Sequence, residues 1–164
     1  AARADWDWVC GFYGHSHTAE DRGEAAIGGQ RGGYPERETA EAGLARGELV
    51  VGEQNGEIVG TAILNQTQGD SYAGANWRYD APDSEVMVLH TLVIDPEAQP
   101  RGLGREFAAF YEGYAPAPGG RYPRIHTHPR TARPRHFYQT LGHPEIGVVH
   151  TLFNGSARAT LVHR

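Results

Sequence analysis

The segment that leaves this chain the fewest options begins at Glu85. From there to Asp95 the sequence is a near-continuous apolar run, Val86-Met87-Val88-Leu89 and then Leu92-Val93-Ile94, interrupted only by His90-Thr91. Such a run marks a strand buried on both faces, and therefore a sheet covered by helices. Pro96 ends the strand, and Gln99-Pro100-Arg101-Gly102-Leu103-Gly104 leads into a helix predicted from Gly102 to Ala115, stopped by Pro116 and Pro118. The first N–H groups of a helix lack intrahelical partners and sit at the positive end of its dipole. A glycine-rich turn there suits a pyrophosphate, because no Cβ blocks its approach. The spacing is neither that of an NTPase phosphate loop nor the G-x-G-x-x-G dinucleotide fingerprint.

The remaining elements arrange themselves around this unit. At 164 residues the chain is the size of one domain, taken here as residues 1–164. Asp5-Trp6-Asp7-Trp8-Val9 alternates like a short strand, and Thr18–Ile27 fits a helix capped by Thr18. A clearer helix runs from Pro35 to Arg46 and closes at Gly47. Glu48–Gln54 and Glu57–Leu64 flank Asn55-Gly56, a strong hairpin signal. Residues 65–84 read as a long functional loop, since Tyr72, Trp77 and Tyr79 need something to pack on. Arg124–Thr127 reads as a strand, Thr131–Leu141 as a helix with Gly142 at its cap, and Ile146–Phe153 and Ala157–His163 as strands joined across Asn154-Gly155. The order is β-α-α-β-β-β-α-β-α-β-β, an α/β or α+β layer on one mixed sheet.

Composition removes several function classes. No run reaches the ~18 apolar residues of a membrane span. The single cysteine, Cys10, excludes an internal disulfide framework and a Cys-based zinc cluster, and with no N-terminal signal pattern a cytoplasmic location is the expectation. A net charge of −5 argues against a general nucleic-acid binder. All fifteen basic residues are arginine, a pattern that more often follows from coding bias than from function. Residues 1–98 hold six arginines against seventeen acids, and residues 99–164 hold nine against three. That split suits an anionic ligand on one side of a site and a cationic one on the other.

The Gln99-x-x-Gly102-x-Gly104 loop after a buried strand, together with Phe137-Tyr138-Gln139-Thr140-Leu141-Gly142 at the expected distance, resembles the GNAT superfamily of N-acetyltransferases. The likeness covers about Glu48 to Phe153. It is closest to compact bacterial members with a similar strand and a similar Phe153-Asn154-Gly155 segment. The resemblance implies a mixed, mostly antiparallel sheet of about six to seven strands flanked by about four helices. It also implies acetyl-CoA as co-substrate, no metal, and transfer of an acetyl group to a primary amine by direct attack. Backbone groups at Leu92 and Val93 would pair with the pantetheine arm after a bulge. Gln99 and the amides of Arg101, Gly102, Leu103, Gly104 and Arg105 would hold the pyrophosphate. Tyr138 matches the tyrosine that protonates the departing thiolate. For the base two residues stand open: His90, whose ordinary pKa suits proton removal near neutrality, and Glu85 at the mouth of the strand.

Thr131 stands where many family members carry asparagine, which leaves one cofactor contact weaker, and Pro134 falls in the first turn of its helix. These departures motivate an alternative, a catalytically inactive acyl-CoA-binding or sensor module of the same fold. The acceptor would be a small-molecule or peptide amine, and the terminal strands are compatible with a homodimer. Three further patterns stand out. His15-Ser16-His17 and His126-Thr127-His128 would each place two imidazoles on one strand face. Arg121, Arg124, Arg130, Arg133 and Arg135 cluster after the loop, on a solvated face or toward the phosphates of CoA. Trp6, Trp8, Tyr13, Tyr34, Trp77 and Tyr79 are candidates for the wall of an amine pocket.

Overall fold

The computed structural model describes residues 1–23, 35–95, 97, 102–114, 120–127, 131–149 and 159–163. Four helices and six strands occur in it: α1 (Trp6–Asp21), α2 (Arg37–Ala45), β1 (Leu49–Gln54), β2 (Glu57–Asn65), β3 (Val86–Ile94), α3 (Leu103–Tyr114), β4 (Tyr122–Thr127), α4 (Ala132–Thr140), β5 (Glu145–Val149) and β6 (Ala159–His163). The hydrogen-bonded strand order is β1-β2-β3-β4-β6-β5. β3 and β4 are parallel, while β1·β2, β4·β6 and β5·β6 are antiparallel. The mixed, mostly antiparallel sheet expected from the sequence is therefore present. The chain gathers into two compact units, residues 1–64 with 91–107 and residues 65–90 with 108–164, so β3 contributes to both.

In the first unit, β1 and β2 turn at Asn55 and Gly56, both with positive φ (54° and 83°), as an Asn-Gly hairpin requires. The core gathers Val9, Phe12 and Tyr13 of α1, Ala40 of α2, Leu49, Ile63 and Val93, with Trp6, Leu44 and Val51 against it. Gly52 and Gly60 are register partners across the hairpin, and the ring of Phe107 from α3 lies on them. A Cβ at Gly60 would stand 2.7 Å from that ring, and one at Gly52 closer still.

One expectation is overturned here. Asp5–Val9 is no strand: residues 3–5 form a 3-10 turn and α1 begins at Trp6. The buried positions Val9, Phe12, Tyr13, Ser16 and His17 follow the period of a helix, and the short alternation around the two tryptophans is incidental. Trp6 packs on the core, whereas Trp8 is 53% exposed. The first helix thus starts well before Thr18. His15 and His17 fall on different faces of it, so they form no strand-face pair. His15 is exposed, and His17 is buried with Nε2 2.8 Å from the Pro35 carbonyl.

In the second unit, Val86–Leu89 of β3 pair with Tyr122–Ile125 of β4, and β4 continues through Thr127 against β6. Tyr111 of α3 ties the parallel pair together. Its buried hydroxyl lies 2.6 Å from the Met87 carbonyl and 3.2 Å from that of Arg124. Residues 65–84 form the ordered loop expected of them, with 3-10 turns at Asp70–Gly74 and Asp83–Glu85. Tyr72 packs on Val86 and Val88, joined by Trp77 and Tyr122. Gly142, at φ 84°, closes α4 as predicted. The Asn154-Gly155 turn, Tyr34, His128 and Arg130 lie outside the described residues. Among the described residues no helix is long and apolar enough to cross a membrane.

Candidate active site

In the first unit the candidate site is built from backbone. The β3·β4 ladder reaches Leu89↔Ile125 and goes no further, and two residues on Thr91 has φ 51°. A β-branched residue is rarely held there, at a strain of roughly 1–3 kcal/mol. The left-handed backbone of Thr91 interrupts the regular strand just before Leu92, the place where a bulge is expected. Leu92 and Val93 follow it, Val93 turning its side chain into the core. The Asp95 N–H donates to the Val59 carbonyl at 3.0 Å.

Gly102 precedes α3 with φ 113°, a conformation that favours glycine, and a Cβ there would meet nothing within 4 Å. Conformation therefore demands glycine, and among the described residues nothing stands within 4 Å of the place a side chain would take. The N–H groups of Arg105 and Glu106 donate to the Gly102 carbonyl at 2.8 and 3.1 Å. Helix geometry leaves those of Leu103 and Gly104 without an intrahelical acceptor. Of the amides assigned to the pyrophosphate, that of Arg105 is thus engaged in the first helical turn. Gln99 and Arg101 lie outside the described residues.

In the second unit the candidate site is built from side chains. His90 Nε2 lies 3.0 Å from Asn65 Oδ1 and 3.2 Å from the Thr67 carbonyl. The ring of His126 stands edge-on to it, centroids 5.6 Å apart, and His126 Nδ1 bonds the hydroxyl of Tyr72. Burial, and then the charge of His90, pull the pKa of His126 down to about 4, so it is neutral at pH 7. Glu85 lies five residues before His90, in the 3-10 turn that opens β3. A strand rises about 3.3 Å per residue, so the two candidate bases stand roughly 16 Å apart and cannot serve the same spot.

Tyr138 is on α4, 5% exposed, and burial pushes its phenol well above the ordinary value. Phe137 and His143 flank it edge-on, with centroids at 5.1 and 6.2 Å. His143 is fully buried, with Nε2 2.9 Å from Glu112 Oε1, and its N–H donates to the Tyr138 carbonyl at 3.0 Å. Thr131 occupies the N-cap position of α4 without a side-chain capping bond.

Two of the clustered arginines are structural. Arg135 grips both oxygens of Glu145 at 2.7 Å, which holds that carboxyl below its usual range. Arg124 is buried, bonds Gln68 and the Tyr79 carbonyl, and lies 4.0 Å over the Trp77 ring. Above it opens a pocket of about 470 Å³ lined also by Tyr72, Asn76, Asp80 and Asp83. Trp77 lines this pocket, whereas Tyr13 and Trp6, read from the sequence as candidates for the same kind of wall, belong to the first core. Sequence reading missed Asn65, Tyr72, His126 as a neighbour of His90, and the Glu112–His143 pair.

Residues 5–143 match the family model described as the acetyltransferase (GNAT) family. Solved structures share the fold. A GNAT family acetyltransferase from Streptococcus agalactiae gives a TM-score of 0.83 at 18% identity, covering 100% of this chain and 91% of that one. yncA from Salmonella typhimurium, solved with its cofactor acetyl-CoA, gives 0.69 at 17%, covering 100% and 90%. A ribosomal-protein-alanine N-acetyltransferase from Brucella melitensis gives 0.69 at 15%, covering 100% and 96%. No curated protein matches the sequence.

Proposed function

Because the chain belongs to the GNAT acetyltransferase family, we propose that it moves an acetyl group from acetyl-CoA to a primary amine by direct attack. The observation that carries this reading is Gly102, held at φ 113° before α3 with open space where a side chain would be. With the amides of Leu103 and Gly104 it fits a pyrophosphate. Acetyl-CoA supplies the acetyl group as a thioester. Leu92 and Val93 would bind its pantetheine arm through backbone groups, and the amide near Leu92 would polarise the carbonyl.

His90 takes the amine proton as the new C–N bond forms and the C–S bond breaks. Its position beside Asn65 and His126 favours it over Glu85, which sits in the 3-10 turn that opens β3. Tyr138 donates a proton to the leaving sulfur. The phenol is protonated at neutral pH, the state a general acid requires, and the burial that raises its pKa makes it a weaker acid than an exposed tyrosine. The pocket beside Trp77, with Asp80 and Asp83 on its lining, suits a cationic acceptor.

Calorimetric titration with acetyl-CoA, beside Gly102→Glu, tests the reading. Micromolar binding lost in the variant, followed by CoA release with an amine panel, supports it. No binding to the wild type would reduce the loop to an ordinary helix start.

A further inference from the structure

Asn65 Oδ1 accepts from two directions, the Thr67 N–H at 2.9 Å and His90 Nε2 at 3.0 Å. A backbone N–H only donates, so the atom facing it is the amide oxygen and the orientation of Asn65 is fixed. The second neighbour of His90 Nε2 is the Thr67 carbonyl, also only an acceptor. A ring nitrogen between two acceptors carries the proton. Neutral His90 is therefore the Nε2–H tautomer, with its lone pair on Nδ1. Among the described residues, the ring of His126 on β4 faces that of His90 edge-on, itself bonded to the hydroxyl of Tyr72. His126, neutral near pH 7, does not compete for the proton.

We propose that Asn65 is a positioning residue for His90: with the Thr67 carbonyl it fixes the tautomer in which Nδ1 receives the proton of the acceptor amine. This rests on the reading of His90 as the base. When the amine proton moves to Nδ1, the imidazolium keeps Nε2–H on Asn65 Oδ1, so the ring holds its angle. The amide explains the residue type. A carboxylate at this place would favour the charged ring and leave the base protonated at neutral pH.

Long-range proton–nitrogen NMR of the histidine rings, with pH–rate profiles, tests this on the wild type, Asn65→Asp and Asn65→Leu. The wild type should show His90 protonated at Nε2. Asn65→Asp should keep that tautomer and move the acidic limb of the rate profile up by about one pH unit or more, with activity recovering above it. Asn65→Leu should mix the tautomers and lower kcat about tenfold or more, with the KM for acetyl-CoA unchanged. A wild-type His90 protonated at Nδ1 overturns the proposal. So does an Asn65→Asp profile that superimposes on the wild type while transfer persists, and that result leaves the acetyltransferase reading standing. A folded wild type that binds acetyl-CoA yet acetylates no amine overturns both.

Discussion

The two compact units equip the protein in opposite ways. The first offers backbone: a strained Thr91, a glycine at φ 113°, and helix-start amides. The second offers side chains: His90 on Asn65, His126 on Tyr72, and Tyr138 beside the Glu112–His143 pair. Backbone recognition suits a ligand part that is the same in every turnover, such as a pyrophosphate and an amide-bearing arm. Side chains suit proton transfer, which needs groups whose pKa values can be set individually.

The sharpest way to break this contrast is Tyr138→Phe. Removing one hydroxyl from the side-chain half should lower kcat by about 10²-fold or more and leave acetyl-CoA affinity nearly unchanged. Stopped-flow and calorimetry separate the two quantities, and a kcat within twofold of wild type would remove Tyr138 from the chemistry.

His126 gives the next largest effect. Its pKa is about 4 in the fold and near 6.5 in the unfolded chain, so between those values the unfolded chain binds more protons. Its contribution is complete above about pH 6.5 and is lost as pH falls toward 4, amounting to about 3 kcal/mol. Glu145, held low by Arg135, loses stability on acidification as well. Urea unfolding at pH 7 and pH 4.5 should therefore show a smaller difference in His126→Phe than in the wild type. Equal differences would mean that His126 titrates normally.

Glycines sharpen the picture of the backbone-built unit. Gly60→Ala pushes a Cβ against Phe107, Ile94 and the Val93 carbonyl, and should cost about 1–3 kcal/mol in a melting experiment. Gly11→Ala and Gly14→Ala put a methyl into open space on α1 and should each stabilise by about 0.5–1 kcal/mol. Destabilisation by the helical pair would show that α1 does not end its packing where the structure places it.

The contrast also explains what the sequence made legible. The glycine loop, the buried strand, the Asn55-Gly56 hairpin and the α4 cap are local, each declared by adjacent residues whose backbone needs are unusual. Tyr138 was readable because its helix carries a contiguous family motif. Asn65 and Tyr72 were not, because their meaning depends on His90 and His126, which stand 25 and 54 residues away along the chain. Gly52 and Gly60 were visible as glycines inside strands, a sign of close approach, but nothing local names Phe107 as the group that approaches. The N-terminal helix is hidden locally, because five residues of strand-like alternation mask the longer helical period that runs through His17.

The division of β3 has a consequence for anyone wishing to dissect the protein. Its Val86–His90 stretch belongs to one unit and Thr91–Ile94 to the other, and Val93 completes a core whose other members all precede residue 65. Neither unit is a continuous piece of chain. A fragment ending at Leu64 lacks a wall of its own core, and one starting at Asn65 carries a strand whose second half has lost its mates. Cleavage in the loop between β2 and β3 should therefore yield fragments that regain structure only together, and a scanning calorimeter should record a single melting event for the intact chain.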